Sequence, residues 1–106
     1  MERGEYARRV LEAYRAAPGT GGAVRGPDRL FAARLYERGV GLEAVENALI
    51  LAAARRLARP ARASALGVIR SLAYFSPVIE EVLGMQVGPE YFQHLRKRVA
   101  RLTAVV

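Results

Sequence analysis

The sequence has no cysteine, a single histidine (His94) and a single lysine (Lys97). The lack of cysteine excludes disulfides, thiolate zinc sites, iron–sulfur clusters and cysteine nucleophiles, and it agrees with a reducing compartment. One histidine is too few for a histidine-rich metal site. We therefore expect no metal and no cofactor.

Long apolar runs are missing as well. The longest, from Ala48 to Ala54, is far too short to span a bilayer. The first residues, Met1 to Glu5, lead directly into a charged amphipathic segment and not into the apolar centre of a signal peptide. We expect a soluble, cytoplasmic protein without a membrane partner.

What the chain does contain is sufficient for one packed core. It has 106 residues, 52% of them hydrophobic, which is typical of a single globular domain. Eight aromatic side chains add bulk to such a core: Tyr6, Tyr14, Phe31, Tyr36, Tyr74, Phe75, Tyr91 and Phe92. We predict one helical domain over residues 1–106.

Apolar residues recur at helical spacing along most of the chain, and no segment alternates as a β-strand does. This spacing predicts helices over 2–17, from Pro27 to the turn at Gly39, over 42–59, and from Pro89 onward. The helix over 42–59 is apolar around most of its circumference, which is typical of a central helix. We predict an all-α fold, a compact orthogonal bundle of five to six short helices.

A further helical stretch is predicted over residues 66–83, with Ser64 as its cap and Gly84 as a left-handed terminator. Pro77 interrupts this pattern. Either Pro77 kinks one long helix, or it lies in the first turn of a second helix that Ser76 caps.

The formal net charge of +7 is unevenly distributed along the chain. Residues 1–46 hold eight arginines against seven acids, and residues 80–106 hold four basic groups against three acids. The excess belongs to five arginines of the middle segment with no acid among them: Arg55, Arg56, Arg59, Arg62 and Arg70. The last helix carries a second basic cluster of Arg96, Lys97, Arg98 and Arg101.

These arginines have two interpretations. A GC-rich genome favours arginine over lysine, and cations near the end of the central helix stabilise its dipole. Alternatively, the arginines form a positive surface for phosphate or an acidic partner, because guanidinium suits bidentate phosphate contact. The missing acids favour the second interpretation, since a solvated surface usually mixes charges. Whether the last helix joins this surface depends on the fold.

The segment from Arg34 to Ala48 resembles a helix–turn–helix with Gly39 in its turn. In the DNA-reading form, the first turns of the second helix meet base edges. Here those turns carry Glu43, Glu46 and Asn47, of which Asn47 suits adenine. Because two carboxylates would face a polyanion, we interpret the segment as a helical hairpin whose helices pack together in the core.

The loop PGTGGAVRG over residues 18–26 is rich in glycine, as phosphate-binding loops are. It lacks the Lys-Ser/Thr pair that follows the glycines of those loops, and it comes after a helix and not a strand. We therefore expect a surface linker.

Few side chains suggest catalysis. The candidates are Ser71, Tyr74, Ser76, Glu80, Glu81 and His94, and they do not assemble a nucleophile, a base and an orienting group. Adjacent residues on a helix diverge by about 100°, so Glu80 and Glu81 cannot form a carboxylate pair. We predict no catalytic residue, no enzymatic activity and no small-molecule substrate.

Two aromatic pairs occur, Tyr74–Phe75 and Tyr91–Phe92. Adjacent aromatic residues on a helix commonly place one ring in the core and the other at its rim. We predict that Phe75 and Phe92 lie in the core, and that Tyr74 and Tyr91 are exposed as candidates for base stacking.

The central helix RGVGLEAVENALILAAARR, the following Arg/Pro connector and IRSLAYFSPVIEEVL together resemble small helical proteins of bacterial plasmids and integrative elements. They are also similar to the helical domains of DnaD-like replication-initiation proteins. The resemblance covers residues 36–83 and implies work on DNA in replication or mobile-element maintenance, with assembly into oligomers. The residues it implicates are Arg55, Arg56, Arg70, Tyr74 and Phe75.

Two functional hypotheses follow. The first is a nucleic-acid-binding accessory domain, with DNA preferred over RNA, that contacts mainly phosphate through the middle arginines and the basic last helix. The second is a protein-interaction module, either a homodimer or an adaptor for an acidic partner. The apolar chain end from Leu102 to Val106 favours the second, because exposed aliphatic residues usually pack against something.

Overall fold

A computed structural model of the chain describes residues 1–104, which form five α-helices and no β-strand. The helices are α1 (Arg3–Ala16), α2 (Gly26–Glu37), α3 (Leu42–Leu57), α4 (Ser76–Leu83) and α5 (Pro89–Ala104), and a 3₁₀ turn over Leu72–Phe75 precedes α4. The all-α prediction is therefore confirmed.

Local side-chain chemistry sets the ends of the first two helices. The Glu2 carboxylate accepts the Glu5 N–H at 3.2 Å and caps α1. At the start of α2, Asp28 accepts the Arg25 N–H at 2.9 Å, close to the positive end of the helix dipole. After α2 the chain turns at Gly39, where φ is +78° and a side chain would be strained.

Helix α3 is central, as its broad apolar surface predicts. It packs against α1, α4 and α5, and Val45, Ala48 and Leu51 are buried in these interfaces. Helix α2 packs mainly on α1 and on the 3₁₀ turn. The predicted turn between α2 and α3 is therefore present. The two helices, however, pack on α1 more than on each other.

The helical stretch predicted over residues 66–83 is wrong for residues 66–71. These residues form no helix, and Ile69 pairs with the glycine-rich loop: its N–H donates to the Gly19 carbonyl at 2.8 Å, and its carbonyl accepts the Gly21 N–H at 3.2 Å. Leu66 and Val68 are exposed while Ile69 is buried. Ser64 consequently caps no helix.

The alternatives for Pro77 are decided in favour of a separate helix. Pro77 lies in the first turn of α4, directly after the 3₁₀ turn, and Ser76 is the first residue of α4 and not its cap. Gly84 follows α4 with φ of −93°, so the prediction of a left-handed terminator is wrong.

Candidate nucleic-acid interface

An open groove of about 450 Å³ lies between the last turns of α3, the connector that follows α3, and the start of α4. Three of its lining residues are cationic and one is aromatic: Arg55, Arg56, Arg59 and Tyr74. The others are apolar: Ala52, Leu66, Pro77 and Val78. We call this feature the arginine groove.

The three arginines are close in sequence at the carboxyl end of α3. Arg55 and Arg56 lie in its last turn, about 100° apart around the axis, and Arg59 lies just beyond the helix, which ends at Leu57. All three are near the carboxyl end of the helix, where the dipole favours positive charge. The clustering of these arginines at the end of α3 is therefore a local feature that the sequence predicts.

Arg55 is paired with an acid that the sequence pattern did not anticipate. Its guanidinium forms a bidentate ion pair with the carboxylate of Glu81 on α4, with Nη1 donating to Oε1 at 2.8 Å. Hydrogen bonding to Glu81 raises the pKa of Arg55, and the same bonds lower the pKa of Glu81. The packing of α4 on α3 thus brings one negative charge, that of Glu81, next to arginines that have no acid among them in the sequence.

Arg56 and Arg59 hold the connector against the end of α3. Arg56 donates to the Gly67 carbonyl at 2.9 Å, and Arg59 donates to the Ser64 carbonyl at 2.7 Å. Each bond uses one of the five guanidinium N–H donors, so donors remain for an incoming phosphate. These two bonds shape the wall of the groove that contains Leu66.

Tyr74 is the exposed aromatic residue of the groove. It lies in the 3₁₀ turn, and 53% of it is accessible to solvent. Its ring meets the buried ring of Phe75 edge to face, with centroids 5.2 Å apart and planes at 82°. The predicted division of this pair between core and surface is confirmed.

The second aromatic pair is divided in the same way. Phe92 is buried, whereas Tyr91 is exposed and does not line the arginine groove.

The other two arginines of the middle segment do not line the groove. Arg62 is exposed in the connector, and Arg70 is exposed next to the buried Ile69. Of the five arginines grouped by sequence, the fold brings three into one site.

The basic cluster of α5 is spread around that helix. Arg96 and Arg98 are separated by about 200° and flank opposite sides of the buried stripe, while Lys97 and Arg101 face away from it. Arg96 donates to the amide oxygen of Asn47 on α3. The α5 cations are exposed, but they do not line the arginine groove.

The start of α3 offers little to a base. Asn47 is buried, and its amide oxygen is occupied by Arg96, so this side chain is not available to adenine. Glu43 is exposed there with its negative charge. This geometry agrees with a core-building role for the segment.

Within residues 1–104, no three His, Asp or Glu side chains are placed to hold a metal ion, and no helix has the length and apolar character needed to cross a membrane. No protein-family model, no curated protein and no solved structure matches this chain.

Proposed function

We propose that this domain binds nucleic acid, with the arginine groove as the principal contact. One observation carries the proposal: three guanidiniums and one exposed tyrosine surround a single open groove. Arginine forms short, charge-assisted bonds to phosphate oxygens, and often two in parallel. The net charge of +7 adds a long-range attraction for a polyanion.

The cellular role proposed here rests on the resemblance of residues 36–83 to plasmid-encoded and replication-initiation proteins. It favours DNA over RNA and a place in replication or mobile-element maintenance in the cytoplasm. The exposed cations of α5, a helix that packs on α3, would add phosphate contacts outside the groove.

Salt dependence tests the proposal directly. If about four to six phosphates are neutralised on duplex DNA, the slope of log affinity against log salt should lie between about −3.6 and −5.4. Fluorescence polarisation with a labelled duplex between low and physiological salt measures this slope. A flat profile, or no binding at low salt, contradicts nucleic-acid binding.

Two neighbouring carboxylates of α4 provide a matched pair of variants that tests the groove itself. Glu81 pairs with Arg55, which lines the groove, whereas Glu80 pairs at 2.8 Å with Arg38, which does not. Glu81→Gln and Glu80→Gln each raise the net charge by one. Removing a charge about 4 Å away changes the interaction by about 1 kcal/mol in water, so Glu81→Gln should tighten binding about fivefold at low salt.

Glu80→Gln should change the affinity by less than about twofold, because salt screens the interaction between the bound phosphates and a charge that lies outside the groove. Equal gains for the two variants would mean that binding follows net charge and not this groove.

The alternative proposal is a protein-interaction module in the form of a homodimer. Leu102 is exposed on α5, and a second groove of about 440 Å³ between α1, α3 and α5 is lined mainly by alanine and other apolar residues. Of the apolar chain end, Val105 and Val106 lie outside the described residues. Light scattering tests this alternative, and a strict monomer at working concentration contradicts it.

A further inference from the structure

The floor of the arginine groove is apolar, which a phosphate contact does not require. Ala52, Pro77 and Val78 line it from α3 and α4. A phosphate is charged and strongly hydrated, so it gains nothing from such a surface and would lose water on entering it. The floor is suited to a flat, weakly hydrated group that accompanies the phosphates.

Tyr74 adds an aromatic surface at the same place. Its side chain lines the groove, and the edge-to-face contact with the buried Phe75 fixes its orientation before any ligand arrives. A ring that is already oriented loses little conformational freedom when a second ring stacks on it. Bases stack on tyrosine irrespective of their identity.

Arg56 and Arg59 lie around this apolar and aromatic centre, and both are held in place by connector carbonyls. Arg55 is partly neutralised by Glu81. The positive charge offered to a backbone is therefore concentrated on Arg56 and Arg59.

From this arrangement we infer that the arginine groove accepts a single strand of nucleic acid, with one unpaired base on Tyr74 and the flanking phosphates on Arg56 and Arg59. The inference rests on the proposed nucleic-acid function and defines its substrate. In a duplex the base faces are covered by their neighbours, so a duplex can offer only phosphates to this groove. A single strand can satisfy both the cations and the apolar floor.

Two probes of equal length test the inference: an oligothymidylate of about 12 nucleotides, within the range of known single-strand sites, and a duplex of the same length. The variants are Tyr74→Leu, Tyr74→Phe and, as a matched control, Tyr91→Leu, which removes an exposed tyrosine outside the groove. Polarisation at fixed salt gives the affinities, and thermal melting verifies that each variant is folded.

The oligothymidylate should bind more tightly than the duplex. Tyr74→Leu should weaken oligothymidylate binding by about fivefold to 100-fold, as loss of one base–aromatic stack does. The same variant should change duplex binding by less than about twofold, because phosphate contacts dominate there. Tyr74→Phe keeps the ring and should retain most of the affinity, and Tyr91→Leu should have little effect.

Tyrosine fluorescence gives a second measurement, because the chain has five tyrosines and no tryptophan. Oligothymidylate should quench part of this emission, and Tyr74→Phe should remove the quenched part while it preserves binding.

Equal affinity for the two probes, an equal loss for both probes in Tyr74→Leu, or an equal effect of Tyr91→Leu would overturn the single-strand inference and leave nucleic-acid binding intact. Absence of salt-dependent binding to either probe would overturn both.

Discussion

The buried carboxylate of Asp28 accepts the backbone N–H of Leu72 at 2.9 Å, across 44 positions of the chain. Its other oxygen accepts the Arg25 N–H, so a single side chain caps α2 and fixes the first residue of the 3₁₀ turn. Tyr74 follows two residues later and lines the arginine groove. The position of the 3₁₀ turn that carries this tyrosine is therefore tied to a residue from another part of the sequence.

Replacement of Asp28 should destabilise the domain. Asp28→Ala leaves two backbone donors without their acceptor, and the loss at the buried Leu72 N–H alone costs about 1–3 kcal/mol. Asp28→Asn keeps one acceptor oxygen and should lose less. Urea denaturation measures the free energy of unfolding, and a loss below about 0.5 kcal/mol for Asp28→Ala, the range of ordinary surface changes, would contradict this role.

The hydroxyl groups of Tyr6 and Tyr36 provide a matched comparison of buried and exposed hydrogen bonds. Tyr6 donates to the Val40 carbonyl at 2.7 Å inside the core, and Tyr36 donates to the Met1 carbonyl at 3.2 Å at the surface. Tyr6→Phe should cost about 1 kcal/mol or more, because it leaves a buried carbonyl unpaired. Tyr36→Phe should cost less than about 0.5 kcal/mol. Equal losses in urea denaturation would show that burial does not set the difference.

Alkaline pH should weaken the fold through the buried tyrosines. Burial raises the pKa of Tyr6, and burial together with the nearby Asp28 charge raises the pKa of Tyr14, both from an ordinary value of 10.0. The native state thus keeps protons that the unfolded state releases, so the stabilisation is complete below about pH 9 and decreases as the pH rises through about 10.

The measurement is the free energy of unfolding at several pH values between 8 and 11, compared between the natural chain and Tyr6→Phe. The variant should lose less stability over this interval, since it has one buried phenol fewer. Parallel curves would contradict the assignment to Tyr6.

The sequence predicts most of the helices because their apolar periodicity is local, and it fails where a tertiary pairing competes. Leu66, Ile69 and Leu72 recur every three residues, which is typical of a helix. In the fold, however, the backbone of Ile69 forms hydrogen bonds with Gly19 and Gly21. The spacing reflects the burial of Ile69 and Leu72 and not a helix. No local signal contains this pairing.

The candidate site divides in the same way. Arg55 and Arg56 lie in the last turn of α3 and Arg59 follows just after its end, so their closeness in sequence accounts for the groove that they share. The pairing of Arg55 with Glu81 arises only when α4 packs on α3, 26 residues later. A run of like charges in the sequence therefore predicts where a basic surface lies, but it does not predict the net charge of that surface, which also depends on acids brought in by the fold.

Alanine variants at Gly19 and Gly22 distinguish the effect of strain in a left-handed backbone from the effect of displacing Arg56. Both have positive φ, +88° and +77°, and an alanine in this region costs about 1–2 kcal/mol. At Gly19 a Cβ would also collide with the Arg56 side chain, whereas at Gly22 it would meet open space. Because the end of the Arg56 side chain is flexible and can move aside, Gly19→Ala should be only slightly more destabilising than Gly22→Ala.

The two variants should differ in binding as well. Displacement of Arg56 breaks its bond to the Gly67 carbonyl and moves a guanidinium of the arginine groove. Gly19→Ala should thus weaken nucleic-acid binding severalfold, while Gly22→Ala should preserve the affinity despite its backbone strain. Urea denaturation and polarisation on both variants test this difference. If Gly22→Ala reduced the affinity as much as Gly19→Ala, the loss would follow from general destabilisation and not from the position of Arg56.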